Sequence, residues 1–463
     1  MRRLLVVAAL AAAGCAPSYT LPPTHLPDAT RPGEQVVVAK DWWKTFGDPA
    51  LDRLVDAAFA ASPTFESAVA RVDAAQARAG IAGSQQLPTV GAGAAASRQK
   101  LSTETNPGAT GNFTVYGASL QASWEIDLWG RIRNEVAASE ADLLAAGYAR
   151  DAVWLALSAQ VAQAYFQLRS LDAQLEVTQR TVVSREKSYD LREMRFTRGI
   201  TSELDLRQAE TELANARAQV PDLKDGIART EGTLAALTGA SPNELFSQGA
   251  PRGKDLFQIP VPPAVPEGLP SDLLLRRPDI REAEENLRAT QARVAAARTA
   301  WFPVVSLTGA YGGESLAFSD LFKGPARAWS FAGSLAMPLF NSGLTAAQVD
   351  LASANERAAA AAYRDTVIRA FADARNAITA QKQAADRVAA RSQAVNALRR
   401  QVYLATLRYD NGYSNYLDVL DAERNLFSAE LGLADAKRAH LSAVVDLYRA
   451  LGGGWMLPEA RGG

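Results

Sequence analysis

The chain has 463 residues, and its 49 Lys and Arg residues almost balance its 50 Asp and Glu residues, which leaves a formal net charge of −1. This balance excludes a nucleic-acid partner held by bulk positive charge. The length suits two or three ordinary domains or one large pseudo-symmetric body. Gly and Pro are clustered in a few places, which is typical of long helices separated by sharp breaks.

The chain begins with the pattern of a secretory signal, MRRLLVVAALAAAGC, in which a short apolar run and small residues precede Cys15. Cys15 is the only cysteine, so an intrachain disulfide is excluded. The stretch resembles a bacterial lipoprotein signal, which implies removal of residues 1–14 and acylation of Cys15. Ala16 then favours delivery to the outer membrane. The alternative is a signal cleaved elsewhere with an incidental cysteine.

Two predicted β-hairpins, about 88–128 and 303–340, alternate apolar and polar residues with a period of two. No later segment is apolar for long enough to cross a bilayer as a helix, and strands of about ten residues fit a membrane. The alternative is a pair of soluble hairpins with one buried face. Unpaired strand edges are costly in lipid, and four strands are too few to close a barrel. A membrane sheet therefore requires an oligomer, with eight strands in a dimer or twelve in a trimer.

Two long helices follow the hairpins, because Arg131 to Arg198 contains no proline and Leu344 to Asn411 contains neither proline nor glycine. At 1.5 Å per residue, each extends about 100 Å. Apolar residues at heptad spacing predict coiled-coil seams. After each tip turn a return helix is expected, from Glu203 to Leu237 and from Tyr416 to Leu451, so that the tip lies far from the strands.

The chain contains an internal two-fold repeat at an offset of 213 positions (412 − 199). RFTRGITSELDLRQAE aligns with RYDNGYSNYLDVLDAE. The predicted organisation is a signal peptide, an N-terminal segment 15–62, repeat 1 at 63–240, a linker 241–271, repeat 2 at 272–452 and a tail 453–463. At this offset Gly199 aligns with Gly412 and Glu210 with Glu423, so the chain contains two copies of one long unit.

The two turns carry the candidate functional residues. Gly199 and Gly412 are expected to end the long helices as C-cap residues. Capping boxes start the return helices at Ser202 and Asn415. For the arginines near the helix ends, Arg192 among them, the alternatives are ties to neighbouring helices through carboxylates and an interaction with the dipole at the helix C-terminus, and the dipole role is favoured.

The acidic residues of the second turn have two alternative roles. Asp418 and Asp421 are three residues apart and share a helix face. In a symmetric oligomer they would form carboxylate rings around the axis, which repel one another or select cations. Helix capping is the alternative for Asp418, and stabilisation by the helix dipole is the alternative for Asp421.

Four stretches, WWKTFGDPALDRLVDAA, VPEGLPSDLLLRRPDI, AARTAWFPVVSLTG and NGYSNYLDVLDAERNLFSAE, resemble the TolC-like outer-membrane efflux family. The similarity is to acylated members that serve resistance-nodulation-division pumps, and it covers essentially the whole mature chain. The resemblance implies a mainly α-helical homotrimer with membrane β-strands, in which a 12-stranded β-barrel continues into an α-helical periplasmic tunnel.

The same resemblance implies an exit duct for drugs or other toxic small molecules, which come from an inner-membrane pump via a periplasmic adaptor. The gate would contain Leu417 and the two acidic residues of the DVLD motif, Asp418 and Asp421. The adaptor would dock at the tip residues Gly199, Thr201, Ser202, Gly412, Tyr413 and Ser414. The alternatives are a general outer-membrane diffusion porin and a coiled-coil envelope scaffold.

Enzymatic chemistry is not expected. The two histidines, His25 and His440, supply neither a His-based triad nor a zinc site. A phosphate-binding GxxxxGK[ST] loop is absent from the sequence. We therefore expect no cofactor and no metal, and outer-membrane lipid as the surroundings of the strands.

Overall fold

The computed structural model describes residues 21, 37–39, 41–100, 102, 104, 111–241, 243, 249–262 and 275–456. Cys15 and the predicted signal lie outside them. The helices are α1 (Pro49–Ala61), α2 (Pro63–Ser84), α3 (Arg131–Thr197), α4 (Glu203–Leu237), α5 (Pro278–Arg298), α6 (Leu344–Asp410) and α7 (Tyr416–Ala450). The strands are β1 (Val37–Ala39), β2 (Thr89–Gln99), β3 (Phe113–Ile126), β4 (Val304–Ser315), β5 (Arg327–Ala336) and β6 (Gly454–Met456).

The chain divides into two compact units. The first contains Arg71–Gly147 and Glu282–Arg364, and the second contains Thr24–Ala70, Tyr148–Arg281 and Asp365–Gly463. In the described helices, no stretch has the length and apolar character needed to cross a membrane.

The first unit contains the four predicted strands as one antiparallel sheet in the order β2-β3-β4-β5. Leu120 of β3 pairs with Ala92 of β2 and with Tyr311 of β4, and Tyr311 pairs with Trp329 of β5. The alternating residues therefore lie on two faces as the sequence predicts. In the described sheet β2 and β5 are edge strands, each with one neighbour.

One face of this sheet is apolar and exposed. Trp329, Phe331 and Leu335 of β5 are each about 70% exposed or more, and Leu120 and Tyr311 are more than half exposed. The opposite face carries Ser, Thr, Gly, Ala and Gln along most of its length. A monomeric soluble protein rarely exposes an apolar surface of this kind, so the face requires a cover.

The long helices and their return helices have the same lengths in both repeats. Helices α3 and α6 each contain 67 residues, and α4 and α7 each contain 35. The predicted long hairpins and the internal repeat are thereby confirmed. Along α3 the heptad residues Leu157, Val161 and Leu168 are buried, which is the seam that their spacing predicted.

The second unit has an aromatic core at its N-terminal segment. A 3-10 helix, Trp42–Phe46, places three aromatic rings against α3 and α7. The buried Asp48 carboxylate caps α1 and accepts the Tyr165 hydroxyl at 2.7 Å and the Lys254 N–H at 3.1 Å. Burial and this carboxylate raise the pKa of Tyr165, so the hydroxyl remains a donor that ties α1 to α3. Strand β1 pairs with β6.

Candidate functional site at the helical tips

Both tip turns have the same backbone. At the end of α3, Gly199 has φ +70°, its N–H donates to the Phe196 carbonyl at 2.8 Å, and the Ile200 N–H donates to the Arg195 carbonyl at 2.9 Å. The turn at Gly412, with φ +75°, repeats both bonds at 2.9 and 2.8 Å. This pair of bonds is the Schellman motif, which needs a left-handed residue after the helix. Both glycines therefore have the expected C-terminal positions.

The return helices start with the predicted caps. The Ser202 hydroxyl accepts the Asp205 N–H at 3.2 Å, and the Asn415 side-chain oxygen accepts the Asp418 N–H at 3.2 Å. Each bond satisfies one free N–H of the first turn. The Asp205 carboxylate accepts the Thr201 hydroxyl at 2.6 Å, so Thr201 braces the first turn.

Exposed apolar side chains occupy equivalent positions of the two tips. Ile200 is 69% exposed and its equivalent Tyr413 is 77% exposed. Leu204 and Leu417 are the next such pair, at 65% and 45%. Two further pairs lie on the ends of the long helices, Leu191 with Leu404 and Met194 with Leu407. Sequence reasoning missed these last pairs, although the 213-residue offset would have found them.

The acidic pair of the second tip lies on the exposed side of α7. Asp418 and Asp421 are both exposed, and Asp421 is 3.5 Å from the Arg424 guanidinium. The opposite side of this turn is buried, because Tyr416, Val419 and Leu420 pack in one apolar cluster with Ala209, Tyr189, Ala405 and Tyr409. The cluster joins α3, α4, α6 and α7, so the structure brings the two tips together.

Arg192 contributes to this junction rather than to the end of its own helix. It is 4% exposed, and its guanidinium lies 4.0 Å from the Tyr416 ring centroid and 4.6 Å from that of Tyr409. It also donates to the Tyr409 hydroxyl at 2.9 Å. The expected role as a helix-dipole partner is therefore wrong for Arg192, because the tyrosines of repeat 2 enclose it as a cation–π partner.

A buried ionic cluster lies further from the turns. Glu212 of α4 is 4% exposed and lies 2.7 Å from the Arg185 guanidinium of α3. The same carboxylate accepts the Arg424 Nε–H at 2.6 Å. Glu212 thus connects three helices and both repeats.

Glu423 lies on α7, next to Arg424 in the chain. Burial raises the pKa of Glu423, and the charge of Glu212 adds to the effect. Arg185 and Arg192 act in the opposite direction but do not cancel it. The ionised form of Glu423 is therefore disfavoured in the folded protein.

The site is a junction of four helices with an exposed acidic pair on its surface. Within the described residues, no group of three or more His, Cys, Asp or Glu side chains could hold a metal ion. What the geometry provides is a pair of rigid turns with exposed apolar side chains, an exposed acidic pair, and a buried ionic cluster between the two repeats.

A sequence profile for outer membrane efflux proteins matches residues 54–240 and 269–453. The chain is 35% identical over 425 residues to the solvent efflux pump outer membrane protein SrpC of Pseudomonas putida, which covers 91% of this chain and 88% of SrpC. It is 33% identical over 463 residues to the outer membrane protein OprJ of Pseudomonas aeruginosa, covering 98% and 95%. The solved CmeC outer membrane channel of Campylobacter jejuni matches with a TM-score of 0.89 and 28% identity, covering 96% of this chain and 95% of CmeC.

Sheet, helices and tips together define an outer-membrane channel component of an efflux pump. The chain belongs to the outer membrane efflux protein family. The family and the outer-membrane location expected from the sequence motifs are confirmed.

Proposed function

We propose that three copies of this chain form the exit duct of a tripartite efflux system. The observation that carries the proposal is the four-stranded sheet with an exposed apolar face and two unpaired edges, β2 and β5. Unpaired backbone groups in lipid cost several kcal/mol each, so the edges must pair with other copies. Three copies give twelve strands, and a barrel of that size has room for a channel.

The tips dock the helical hairpin of a periplasmic adaptor. Gly199, Thr201 and Ser202 form one docking turn, and Gly412, Tyr413 and Ser414 form the other. The exposed side chains of Ile200 and Tyr413 supply the apolar contact that a helical partner buries. Because each protomer has two such turns, a trimer presents six docking turns. An inner-membrane pump of the resistance-nodulation-division family supplies the energy for export.

The second tip also forms the periplasmic gate. Asp418 and Asp421 of three copies supply two rings of three carboxylates, and Leu417 lies next to them on the exposed side of α7. Like charges at short range repel, so adaptor contacts that neutralise or separate them change the width of the mouth. Cys15 carries the acyl anchor.

The exported compounds are drugs or other toxic small molecules, and the duct performs no chemical step of its own. The names of similar proteins support this class, since they include solvent, toluene and antibiotic efflux components. Four methionines and two histidines give no indication of a metal-exporting duct.

Site-specific photo-crosslinking in living cells tests the proposal. A crosslinker at Ser202 or Tyr413 should capture a periplasmic adaptor. A crosslinker at Arg229, an exposed position within α4 whose side chain is 78% exposed, is the matched control and should capture less of it. Capture of nothing at either tip, together with a purified trimer that conducts freely alone, would identify a diffusion porin. A chain that leaves the membrane once its acyl anchor is removed would identify a scaffold.

A further inference from the structure

The apolar face of the sheet contains a trough at the loop end of the strands. Ala94, Ala118, Gly313 and Arg327 lie in one register row across β2, β3, β4 and β5. With strands about 4.8 Å apart, the row is about 14 Å long. Ala94 and Ala118 have very small side chains, so this part of the row is a depression, and the row ends at the Arg327 guanidinium.

Larger residues form the two sides of the trough. Leu120, Tyr311 and Trp329 occupy the next row on the side away from the loops. On the loop side Tyr116 packs edge-on against Phe318, with ring centroids 5.7 Å apart. The groove has a volume of about 580 Å³, and Leu321 and Phe322 of the β4–β5 loop also line it.

The loop that closes the groove is held in place by its own contacts. Leu321 is 5% exposed, although its neighbour Phe322 is 81% exposed. A Cβ at Gly313 would collide with the Leu321 carbonyl oxygen, so the loop lies directly on the strand there. Lys323 and Asp320 form an ion pair of 2.6 Å within the loop. The groove is therefore formed before any occupant arrives.

The lining indicates what the groove accepts. The row lies within a paired sheet, where the backbone groups of β3 and β4 are bonded to their neighbours, so a peptide strand cannot be added there. The apolar side chains suit a hydrocarbon chain. Arg327 is exposed, is the one charged residue lining the groove, and has no ion-pair partner among the described residues. A guanidinium binds phosphate through two parallel hydrogen bonds.

We propose that this groove is a lipid site, in which the trough over Ala94 and Ala118, beside the loop that covers Gly313, seats a hydrocarbon chain and Arg327 binds the phosphate of the same outer-leaflet lipid. The inference rests on the proposed function, which places the apolar face against the membrane and the loop end at its outer surface. Aromatic residues of membrane barrels are concentrated at the membrane–water interface, and Trp329 marks this level. A lipid bound here has its chain in the hydrocarbon region and its phosphate at the polar surface. Free phosphate would lack the apolar contact.

Native mass spectrometry of the detergent-purified trimer, titrated with dioleoyl phosphatidic acid, tests this site. Arg327→Gln should weaken binding roughly tenfold, because a charge-assisted bidentate contact is lost. Arg327→Lys should restore part of it. Dioleoylglycerol, which has the same chains without phosphate, should bind the wild-type trimer weakly and should not respond to Arg327→Gln.

A second variant tests the trough, and a matched arginine tests position. Ala118→Leu fills the groove and should reduce binding of phosphatidic acid although Arg327 is intact; Ala94→Leu serves if that variant yields no trimer. Arg98 is also an exposed arginine on the apolar face near the loop end but does not line the groove. Arg98→Gln should leave binding unchanged.

Two results overturn the inference: wild-type affinity in Arg327→Gln, or an equal loss in Arg98→Gln, which would mean diffuse surface charge. Adaptor crosslinking at Ser202 separates this result from the wider proposal. If the adaptor is still captured while lipid binding ignores Arg327, only the lipid site fails. If no trimer forms and no adaptor is captured, the duct proposal fails first.

Discussion

The two tips of this protein have the same backbone conformation but differ in the charge of their side chains. Gly199 and Gly412 make the same pair of hydrogen bonds, and the exposed apolar side chains that follow them, Ile200 and Tyr413, are equivalent. The second tip adds Asp421, where the first has Gln208. Duplication therefore kept the turn that a partner would contact in both copies, while a charged pair occurs in only one.

The interface between the repeats is also unequal. Arg185 and Arg192 are buried in α3 of repeat 1, and the equivalent positions of repeat 2 are Leu398 and Ala405. Repeat 2 contributes the tyrosines around Arg192 and the guanidinium of Arg424 instead. A symmetric backbone thus carries complementary side chains, which lets one repeat bind the other in a single register.

Breaking the buried cluster should have the largest effect. Glu212→Gln leaves Arg185 buried without its counter-charge, and removing one partner of a buried pair typically costs about 3–5 kcal/mol. We expect a lower midpoint of thermal unfolding, measured by circular dichroism of the trimer. Glu186→Gln is the matched control, because Glu186 pairs with Arg217 at an exposed position and such pairs contribute about 1 kcal/mol or less. Equal shifts in the two variants would contradict the buried connection.

Asp421 has no acidic equivalent in the first tip, so we expect only the second tip to affect ion selectivity. In planar bilayers, Asp421→Asn should lower the preference of the trimer for cations, by roughly two- to fivefold if the carboxylates ring the mouth. Asp205→Asn, at the tip without the second carboxylate, should leave ion selectivity unchanged. A helix-stabilising role for Asp421 predicts the reverse pattern, with wild-type selectivity and a small loss of stability.

The smallest effect concerns Glu423. Because burial raises the pKa of this carboxyl in the folded protein, the folded state binds a proton more readily than the unfolded state. Stability from this group is complete below the ordinary Glu pKa, about 4.3, and is lost as pH rises through the raised pKa. Glu423→Gln should therefore raise stability at neutral pH, and the gain should vanish in acid.

Thermal unfolding at a series of pH values measures this difference. The repeat-equivalent Glu210, which is exposed and paired with Arg207 at 2.8 Å, is the control. Glu210→Gln should show no gain at neutral pH. A gain in Glu423→Gln that persists unchanged in acid would show that packing, rather than ionisation, is responsible.

Several features of the fold could be predicted because each depends on neighbours in the chain. Alternation along β3 gave the two faces of the sheet, and the absence of breakers gave the 67-residue helices. The helix ends followed from Gly199 and Gly412, whose positive φ suits glycine, and from caps at Ser202 and Asn415. The spacing of Asp418 and Asp421 predicted that they share a helix face. Whether that face lines a pore depends on the arrangement of several protomers.

The buried arginines could not be predicted in this way. Arg192 looked like a helix-end partner, because in the sequence it stands close to the last turn of α3. Its burial results from Tyr409 and Tyr416, which are more than two hundred positions away. Glu212 lies in a polar stretch, TELANAR, that reads as a solvated helix face. No local pattern distinguishes it from Glu203 or Glu210, which remain exposed.

The sequence by itself determined the repeat, the class of protein, the strands and the turns, because periodicity, glycine conformation and capping act over a few residues. Tertiary structure decided which charges are buried and where small residues meet. Helix packing selected Arg185, Glu212 and Arg424 for one cluster, and strand register aligned Ala94 and Ala118 with Gly313, which the β4–β5 loop covers. Both depend on residues that are distant in the chain, and their positions are fixed only when the elements pack.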